Sequence, residues 1–294
     1  MRLVFVHGIN NESSTVDEIR DHWHEALKQG WKDLGGMPTK KYSVEAAYYA
    51  DILAEASGDK KPAIEMGGPG DPATGLAIEF LLAYSKEAGI TDADITAEAA
   101  AQGVPLEAVE EGLPHEGWVI AFAKVLEAVL PTKGKYVARL FLRQAAIYIG
   151  DPVLAAKITA KVNEQIFAGK SDPTIVIGHS LGSVVSYRIL ADKEFSKRAI
   201  PLYVTVGSPL SVDIFKPILP TRGSLPKPPI ERWINGRNTE DFVTMGKSIT
   251  KKSIGFDGVE DVTDIIDNQD NRHDIGAYLR SPKIAEAIKA AIDK

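Results

Sequence analysis

The sequence predicts an α/β fold, in which a mostly parallel sheet is flanked by helices and a mostly helical cap is inserted in the middle. Three observations predict it. Short runs rich in Val, Ile and Tyr are apolar without alternation, which is typical of strands covered on both faces. Most of these runs are separated by helical patterns, as in parallel sheets. One long central segment contains no such run.

The predicted strands are short runs rich in Val, Ile and Tyr. They cover Leu3–Val6, Tyr42–Tyr49, Thr174–Ile177, Leu202–Val206, Glu231–Ile234 and roughly Val262–Ile266. The predicted helices between and after them cover Thr15–Gln29, Leu181–Asp192 and Pro282–Ile292. Asp17 and Glu18 favour the start of the first of these helices, because acidic side chains stabilise the positive end of a helix dipole.

The central segment divides the chain into a core, residues 1–51 and 170–294, and a helical insertion, residues 52–169. Its predicted helices cover Ala73–Ala88, Ile95–Ala101, Gly117–Leu130, Tyr136–Ile149 and Pro152–Phe167. The stretches Leu76–Tyr84 and Trp118–Leu130 are apolar around most of their circumference. Three interpretations fit them: mutual burial, the lining of a pocket for an apolar group, or the contact surface of a homo-oligomer.

Composition excludes several classes of function. The 294 residues include no Cys, so disulfide scaffolds, thiolate metal sites and cysteine nucleophiles are excluded. Thirty-four basic and forty acidic residues give a formal charge of −6 without a basic cluster, which argues against nucleic acid as a partner. No signal peptide precedes the first strand, and no apolar run is long enough to span a bilayer. We therefore expect a cytoplasmic protein without a transmembrane segment.

The most informative motif is Gly178-His179-Ser180-Leu181-Gly182, between a predicted strand and a predicted helix. The bare pattern Gly-x-Ser-x-Gly arises by chance in about one chain in ten of this length, so its strand–turn–helix context gives it specificity. A sharp turn there exposes the hydroxyl of Ser180 as a nucleophile, and Gly178 and Gly182 let neighbouring segments approach. The N–H of Leu181, at the helix start, is placed to stabilise an oxyanion.

A second motif follows the first strand, where the chain continues as His7-Gly8-Ile9. A loop in this position supplies the other oxyanion donor of many serine hydrolases, and the N–H of Ile9 is the candidate. His7 is assigned no proton-transfer role, because a histidine at the end of a buried strand is more often structural.

These motifs together resemble the α/β-hydrolase superfamily, and specifically its lipase- and esterase-like members. The segment Val204–Leu210, which contains Gly207-Ser208-Pro209, is similar to the strand and turn that follow the nucleophile helix in such proteins. The resemblance covers roughly residues 1–50 and 170–280 and does not extend to the insertion. It implies a fold starting at the His-Gly strand, without the two strands that commonly precede it in larger members.

The resemblance also implies the order serine, acid, histidine along the chain. The segment Trp233–Val243 resembles the part of these proteins that carries the acid, which indicates Asp241, with Glu240 as its nearest competitor. His273 is the only histidine after Asp241 and is therefore the expected base, and Tyr278 lies nearby, as in family members. Ser180, His273 and Asp241 would then form a catalytic triad that hydrolyses an ester through an acyl-enzyme, without a cofactor.

Other interpretations stay open on the sequence alone. A thioesterase, an amidase or peptidase, and an acyltransferase would use the same triad on a small-molecule acyl substrate, whereas a binding or scaffold protein would use none of it. The apolar insertion helices favour a hydrophobic substrate. No metal site is expected: His22 and His24 point to different sides of a helix, and the acidic run Asp257–Asp274 lacks calcium-loop spacing.

Overall fold

The computed structural model describes residues 1–9, 11–57, 83–87, 89–101, 144–192, 197–220, 229–266 and 271–294. The predicted helix Gly117–Leu130 lies outside these residues. So do most of the predicted helices Ala73–Ala88 and Tyr136–Ile149, although residues 83–87 and 144–150 are helical.

Six strands within the described residues form one sheet, and every neighbouring pair is parallel. They are β1 Arg2–Val6, β2 Ser43–Ala47, β3 Thr174–His179, β4 Tyr203–Val206, β5 Trp233–Gly236 and β6 Val259–Val262, in the spatial order β2-β1-β3-β4-β5-β6. Buried β-branched side chains face both sides of the central strands, as in sheets covered by helices on two faces. The predicted α/β class with a parallel sheet is confirmed.

Among the helices whose bounds lie within the described residues, those of eight or more residues are α1 Val16–Asp33, α2 Ala50–Ser57, α3 Asp92–Ala101, α4 Pro152–Phe167, α5 Leu181–Leu190 and α8 Pro282–Asp293. Shorter ones are α6 Lys251–Ile254 and α7 Ile275–Arg280, and a 3₁₀ helix covers Asp213–Ile218. The chain divides into two compact units, Met1–Tyr49 with Lys157–Lys294, and Ala50–Ala156. The sequence-based boundary at residue 170 lies after α4, whereas this division falls within that helix.

Helix α1 shows why the first predicted helix forms and what it buries. Thr15 and Glu18 make a capping box, in which the Thr15 side chain accepts a hydrogen bond from the Glu18 N–H and the Glu18 carboxylate accepts one from the Thr15 N–H. Trp23 and Trp31 lie on its buried face, and the Trp31 indole N–H donates to the carbonyl oxygen of Ala285 at 2.8 Å. This face joins α7, α8 and one side of the sheet in a single apolar cluster.

The last strand differs from the prediction, which placed it over Val262–Ile266. The observed β6 pairs with β5 through Val259–Val262, although Glu260 and Asp261 are polar. Ile265 packs against the core after the strand has ended, and the Ile266 N–H donates to the Ser281 hydroxyl at 2.9 Å. The prediction is wrong because the apolar residues lie in the loop after the strand. The strand itself is partly polar, since an edge strand needs little apolar character.

Within the described part of the chain, no helix is long and apolar enough to cross a membrane.

Candidate active site

Ser180 stands at the turn between β3 and α5 in a strained backbone conformation. Its φ is 54° and its ψ is −132°, a region that residues other than glycine seldom occupy and that costs on the order of 1–3 kcal/mol. The turn is held by the Ser180 N–H, which donates to the Val206 carbonyl oxygen at 3.1 Å, and by the Ser183 hydroxyl, which donates to the Ser180 carbonyl oxygen at 2.6 Å. The surrounding structure thus fixes the position of the Ser180 side chain.

Three glycines make room for this turn. A Cβ added to Gly178 would lie 2.7 Å from the Cα of Ser183, and one added to Gly182 would overlap the carbonyl oxygens at the end of β1. A Cβ added to Gly8 would lie 2.5 Å from the Cβ of Ser180. The sequence had indicated Gly178 and Gly182, but not Gly8, whose close approach brings the loop after β1 against Ser180.

The loop after β1 is anchored by His7, which is fully buried. His7 Nε2 accepts a hydrogen bond from the Tyr49 N–H at 3.1 Å, so the ring proton is on Nδ1, which donates to the Gly8 carbonyl oxygen at 2.6 Å. The Tyr49 hydroxyl donates to the His7 carbonyl oxygen at 2.6 Å, and the two rings stack at 4.3 Å. Both ring nitrogens of His7 are therefore engaged in holding the backbone that leads to Ile9.

Asp241 and His273 meet in the interior and form a hydrogen-bonded pair. His273 Nδ1 lies 2.8 Å from Asp241 Oδ2, and the exposed fractions of these residues are 8% and 1%. The other carboxylate oxygen, Oδ1, accepts a hydrogen bond from the Val243 N–H at 2.9 Å. Glu240, the competing acid, is mostly exposed and pairs with Arg272 at 2.9 Å. The structure thus brings Asp241, and not Glu240, to His273.

Gly207, at the end of β4, makes this pairing possible. Its φ is 55°, in the left-handed region that favours glycine. A Cβ there would lie 2.8 Å from His273 Cε1 and 3.1 Å from Asp241 Oδ2. The sequence indicates the Gly207-Ser208-Pro209 turn only through the family resemblance, and it predicts no separate role for Gly207. The signal available was a Gly-Ser-Pro turn directly after a buried strand.

His179, next to the serine, packs against the expected base. The rings of His179 and His273 lie 4.4 Å apart at 31°, and His179 Nε2 donates to the His273 carbonyl oxygen at 3.1 Å. Burial, followed by the proximity of His273, places the pKa of His179 well below its ordinary value. His179 is therefore a neutral donor that fixes the backbone of His273, a role that the sequence did not indicate.

Two functional groups have no hydrogen-bond partner among the described residues: the Ser180 hydroxyl and His273 Nε2, both buried. They flank the same short segment, because the Ser180 N–H bonds to Val206 and the next residue, Gly207, lies against His273. No Ser180–His273 hydrogen bond is formed in this structure. Such bonds are often long before substrate binds, and buried polar groups without partners are unusual outside functional sites.

The expected oxyanion donors are backbone groups beside Ser180. The N–H of Leu181 is the first of α5 and has no acceptor within that helix. Neither it nor the N–H of Ile9 donates to any acceptor that the structure describes. Both are therefore able to donate to a ligand oxygen. In the described residues, no group of three His, Asp or Glu side chains is arranged to hold a metal ion.

No protein-family model matches this chain, and no curated protein matches it either.

Proposed function

We propose that this protein is a serine hydrolase of the α/β-hydrolase type that cleaves carboxylic esters, with Ser180 as nucleophile, His273 as base and Asp241 as the residue that orients the base. The observation that carries the proposal is the buried Asp241–His273 hydrogen bond beside a serine in a strained turn. A structural role for this arrangement is disfavoured because the Ser180 hydroxyl and His273 Nε2 gain nothing from their burial.

The positions of the three side chains in the sheet support the same proposal. Ser180 follows β3, Asp241 lies in the loop after β5 and His273 lies in the loop after β6. All three strands are parallel, so the residues gather at the carboxyl ends, where ligands of open α/β sheets bind. The order serine, acid, histidine is that of the α/β hydrolases.

The chemistry follows from which nitrogen of His273 is occupied. Asp241 accepts a hydrogen bond from the Nδ1–H group, which leaves Nε2 as the basic atom. Nε2 takes the proton of the Ser180 hydroxyl as Oγ attacks the ester carbonyl carbon, and the Nε2 proton then passes to the departing alcohol. Water gives a proton to the same nitrogen and attacks the acyl-enzyme, which releases the carboxylic acid and returns the proton to Ser180.

The carbonyl oxygen becomes negatively charged during both attacks. The N–H groups of Leu181 and Ile9 would stabilise it, and removing one such donor typically costs about 100- to 1,000-fold in rate. Because the Gly8 backbone lies against Ser180, the loop carrying Ile9 is held close to the nucleophile. The strained turn fixes the other donor, since Leu181 follows Ser180 directly.

The substrate class is a further part of the proposal. A hydrophobic acyl group would suit the apolar stretches Leu76–Tyr84 and Trp118–Leu130, almost all of which lie outside the described residues. Self-association through these stretches and a cytoplasmic location also remain proposals based on sequence.

The test is labelling of the purified protein with a fluorophosphonate probe, which reacts with activated serines. We expect labelling of the wild type and of Ser211→Ala, a matched control in which a different buried serine loses its hydroxyl, and none of Ser180→Ala. Hydrolysis of p-nitrophenyl esters of graded chain length, beside a thioester and an anilide, then measures the preferred bond. A folded wild type that is not labelled would contradict the proposal and favour a binding protein.

A further inference from the structure

Tyr278, on α7, contacts the same carboxylate oxygen of Asp241 that His273 contacts. It is fully buried, and its hydroxyl donates to Asp241 Oδ2 at 2.6 Å. The phenolic oxygen accepts a hydrogen bond from the Asn238 N–H at 3.0 Å. Because Asn238 supplies a donor, the single hydroxyl proton of Tyr278 is directed to Asp241.

Asp241 Oδ2 therefore serves two donors, the Tyr278 hydroxyl and His273 Nδ1. Each donor draws on the negative charge of the same oxygen, so a hydrogen bond from one weakens the bond to the other. The second oxygen, Oδ1, is held separately by the Val243 N–H. Among the described residues, three donors fix the carboxylate, and only Tyr278 donates to the same oxygen as His273.

The hydroxyl keeps its proton under all ordinary conditions. Burial, followed by the negative charge of Asp241, holds the pKa of Tyr278 well above its ordinary value. Tyr278 is therefore a permanent donor, whereas His273 exchanges a proton in each turnover of the proposed reaction.

We propose that Tyr278 is a positioning residue that shares Asp241 Oδ2 with His273 and thereby lowers the pH range in which His273 becomes available as the base. The inference rests on the proposed function, because it assigns His273 that role. A weaker hold of Asp241 on the protonated ring lets the ring give up its proton more easily, so the unprotonated base persists to lower pH. The same contact keeps the carboxylate from rotating away from His273.

The other charged or titratable groups near the His273 ring lie on several elements. His179 packs against the ring at a tilt from the end of β3, and its lowered pKa keeps it neutral. Arg272 precedes His273 and pairs with Glu240, and Asp274 follows it and caps α7 by accepting from the Ala277 N–H. Tyr278→Phe removes none of these groups, and besides the donor to Oδ2 it removes only the acceptor of the Asn238 N–H among the described contacts.

The test compares Tyr278→Phe with the wild type and with Tyr187→Phe, in the full chain. The control loses a buried hydroxyl that donates to the Ile254 carbonyl oxygen and not to Asp241. The first measurement is the low-field ¹H resonance of the His273 Nδ1 proton in ¹⁵N-histidine-labelled protein. The second is the rate of fluorophosphonate labelling as a function of pH.

In Tyr278→Phe the Nδ1 proton resonance should move further downfield, because His273 then has Oδ2 to itself. The pH of half-maximal labelling should rise, so that labelling slows about three- to tenfold on the acidic side while the alkaline plateau is retained. Tyr187→Phe should match the wild type in both measurements. An unchanged resonance, or a rate that falls equally at every pH, would show a purely structural tyrosine and overturn the proposal.

The two proposals fail separately. If the wild type is never labelled, the proposed function is wrong, and the resonance alone then decides whether Tyr278 weakens the His273–Asp241 bond. Should Tyr278→Phe not fold, the wild type grown with 3-fluorotyrosine replaces it. Fluorination makes the phenol a stronger donor, so the Nδ1 resonance should move upfield, and an unmoved resonance would overturn the inference.

Discussion

The substitution Gly8→Ala separates the geometry of the candidate site from its chemistry, because it removes no functional group. The added Cβ would lie 2.5 Å from Ser180 Cβ, 3.0 Å from the His179 carbonyl oxygen and 3.1 Å from Ser180 Oγ. Two of these neighbours are backbone or directly attached to it, so no side chain can rotate away. Gly8 has no positive φ, so the substitution adds a clash and no backbone strain to the folded state.

The magnitude follows from the distances. Ordinary Cβ contacts begin at 3.4 Å, so the loop after β1 and the serine turn must separate by about 1 Å. A displacement of that size at a reacting centre costs about 100-fold in rate. Overpacking typically costs about 1–3 kcal/mol of folding free energy, partly offset by about 0.4–1 kcal/mol because alanine restricts the unfolded chain.

The assay measures fluorophosphonate labelling and urea unfolding of Gly8→Ala beside Gly258→Ala. Gly258 has a φ of 85°, and a Cβ added there would meet no heavy atom within 4 Å, so its alanine variant carries only backbone strain of about 1 kcal/mol. We expect Gly8→Ala to fold and to label about 100-fold more slowly, and Gly258→Ala to label normally. Labelling of folded Gly8→Ala within a few-fold of the wild type would refute the geometric argument.

Three further predictions concern stability. The lowered pKa of His179 means that the unfolded chain binds a proton first, so urea unfolding should show stability falling as pH drops below about 6.5, and less steeply in His179→Gln. The hydrogen bond from Arg2 lowers the pKa of Glu45, so the ionised Glu45 carboxylate stabilises the folded protein above pH 4.5, and this stabilisation is lost as the pH falls further. In the same urea series, Glu45→Gln should flatten the dependence of stability on pH in this acidic range. Thr15→Ala should cost about 1 kcal/mol in thermal unfolding, since it removes the cap of α1.

Much of the sheet could be predicted because its central strands are apolar on both faces. The runs at Leu3–Val6 and Thr174–Ile177 lie within observed strands, and α1 begins at Val16, one residue after the predicted start at Thr15. The edge strand β6 could not be placed, because Glu260 and Asp261 carry no apolar signal. Helix α7 was not predicted, because its six residues are too few to show the 3.6-residue repeat of apolar side chains that identifies a helix.

In the candidate site, the sequence indicated the three polar residues of the proposed triad but not the glycines that let them come close together. Ser180 was found from a local motif, whereas Asp241 required a resemblance, because an acidic residue in a loop is ordinary. The structure brings Asp241 to His273 across 32 residues of chain. Gly8 and Gly207 could not be identified, since their importance depends on what stands opposite them in space.

These two glycines show how the fold sets the distances in the site. Gly8 brings the loop after β1 against Ser180, and Gly207 brings the end of β4 against His273 and Asp241. Gly8 lies two residues after β1 and Gly207 lies directly after β4, and both strands pair with β3, so the sheet register fixes both approaches together. A side chain at either position would push two partners apart, although it would remove none of their functional groups. An added methyl group at either position should therefore reduce the proposed activity more than it reduces the stability of the fold.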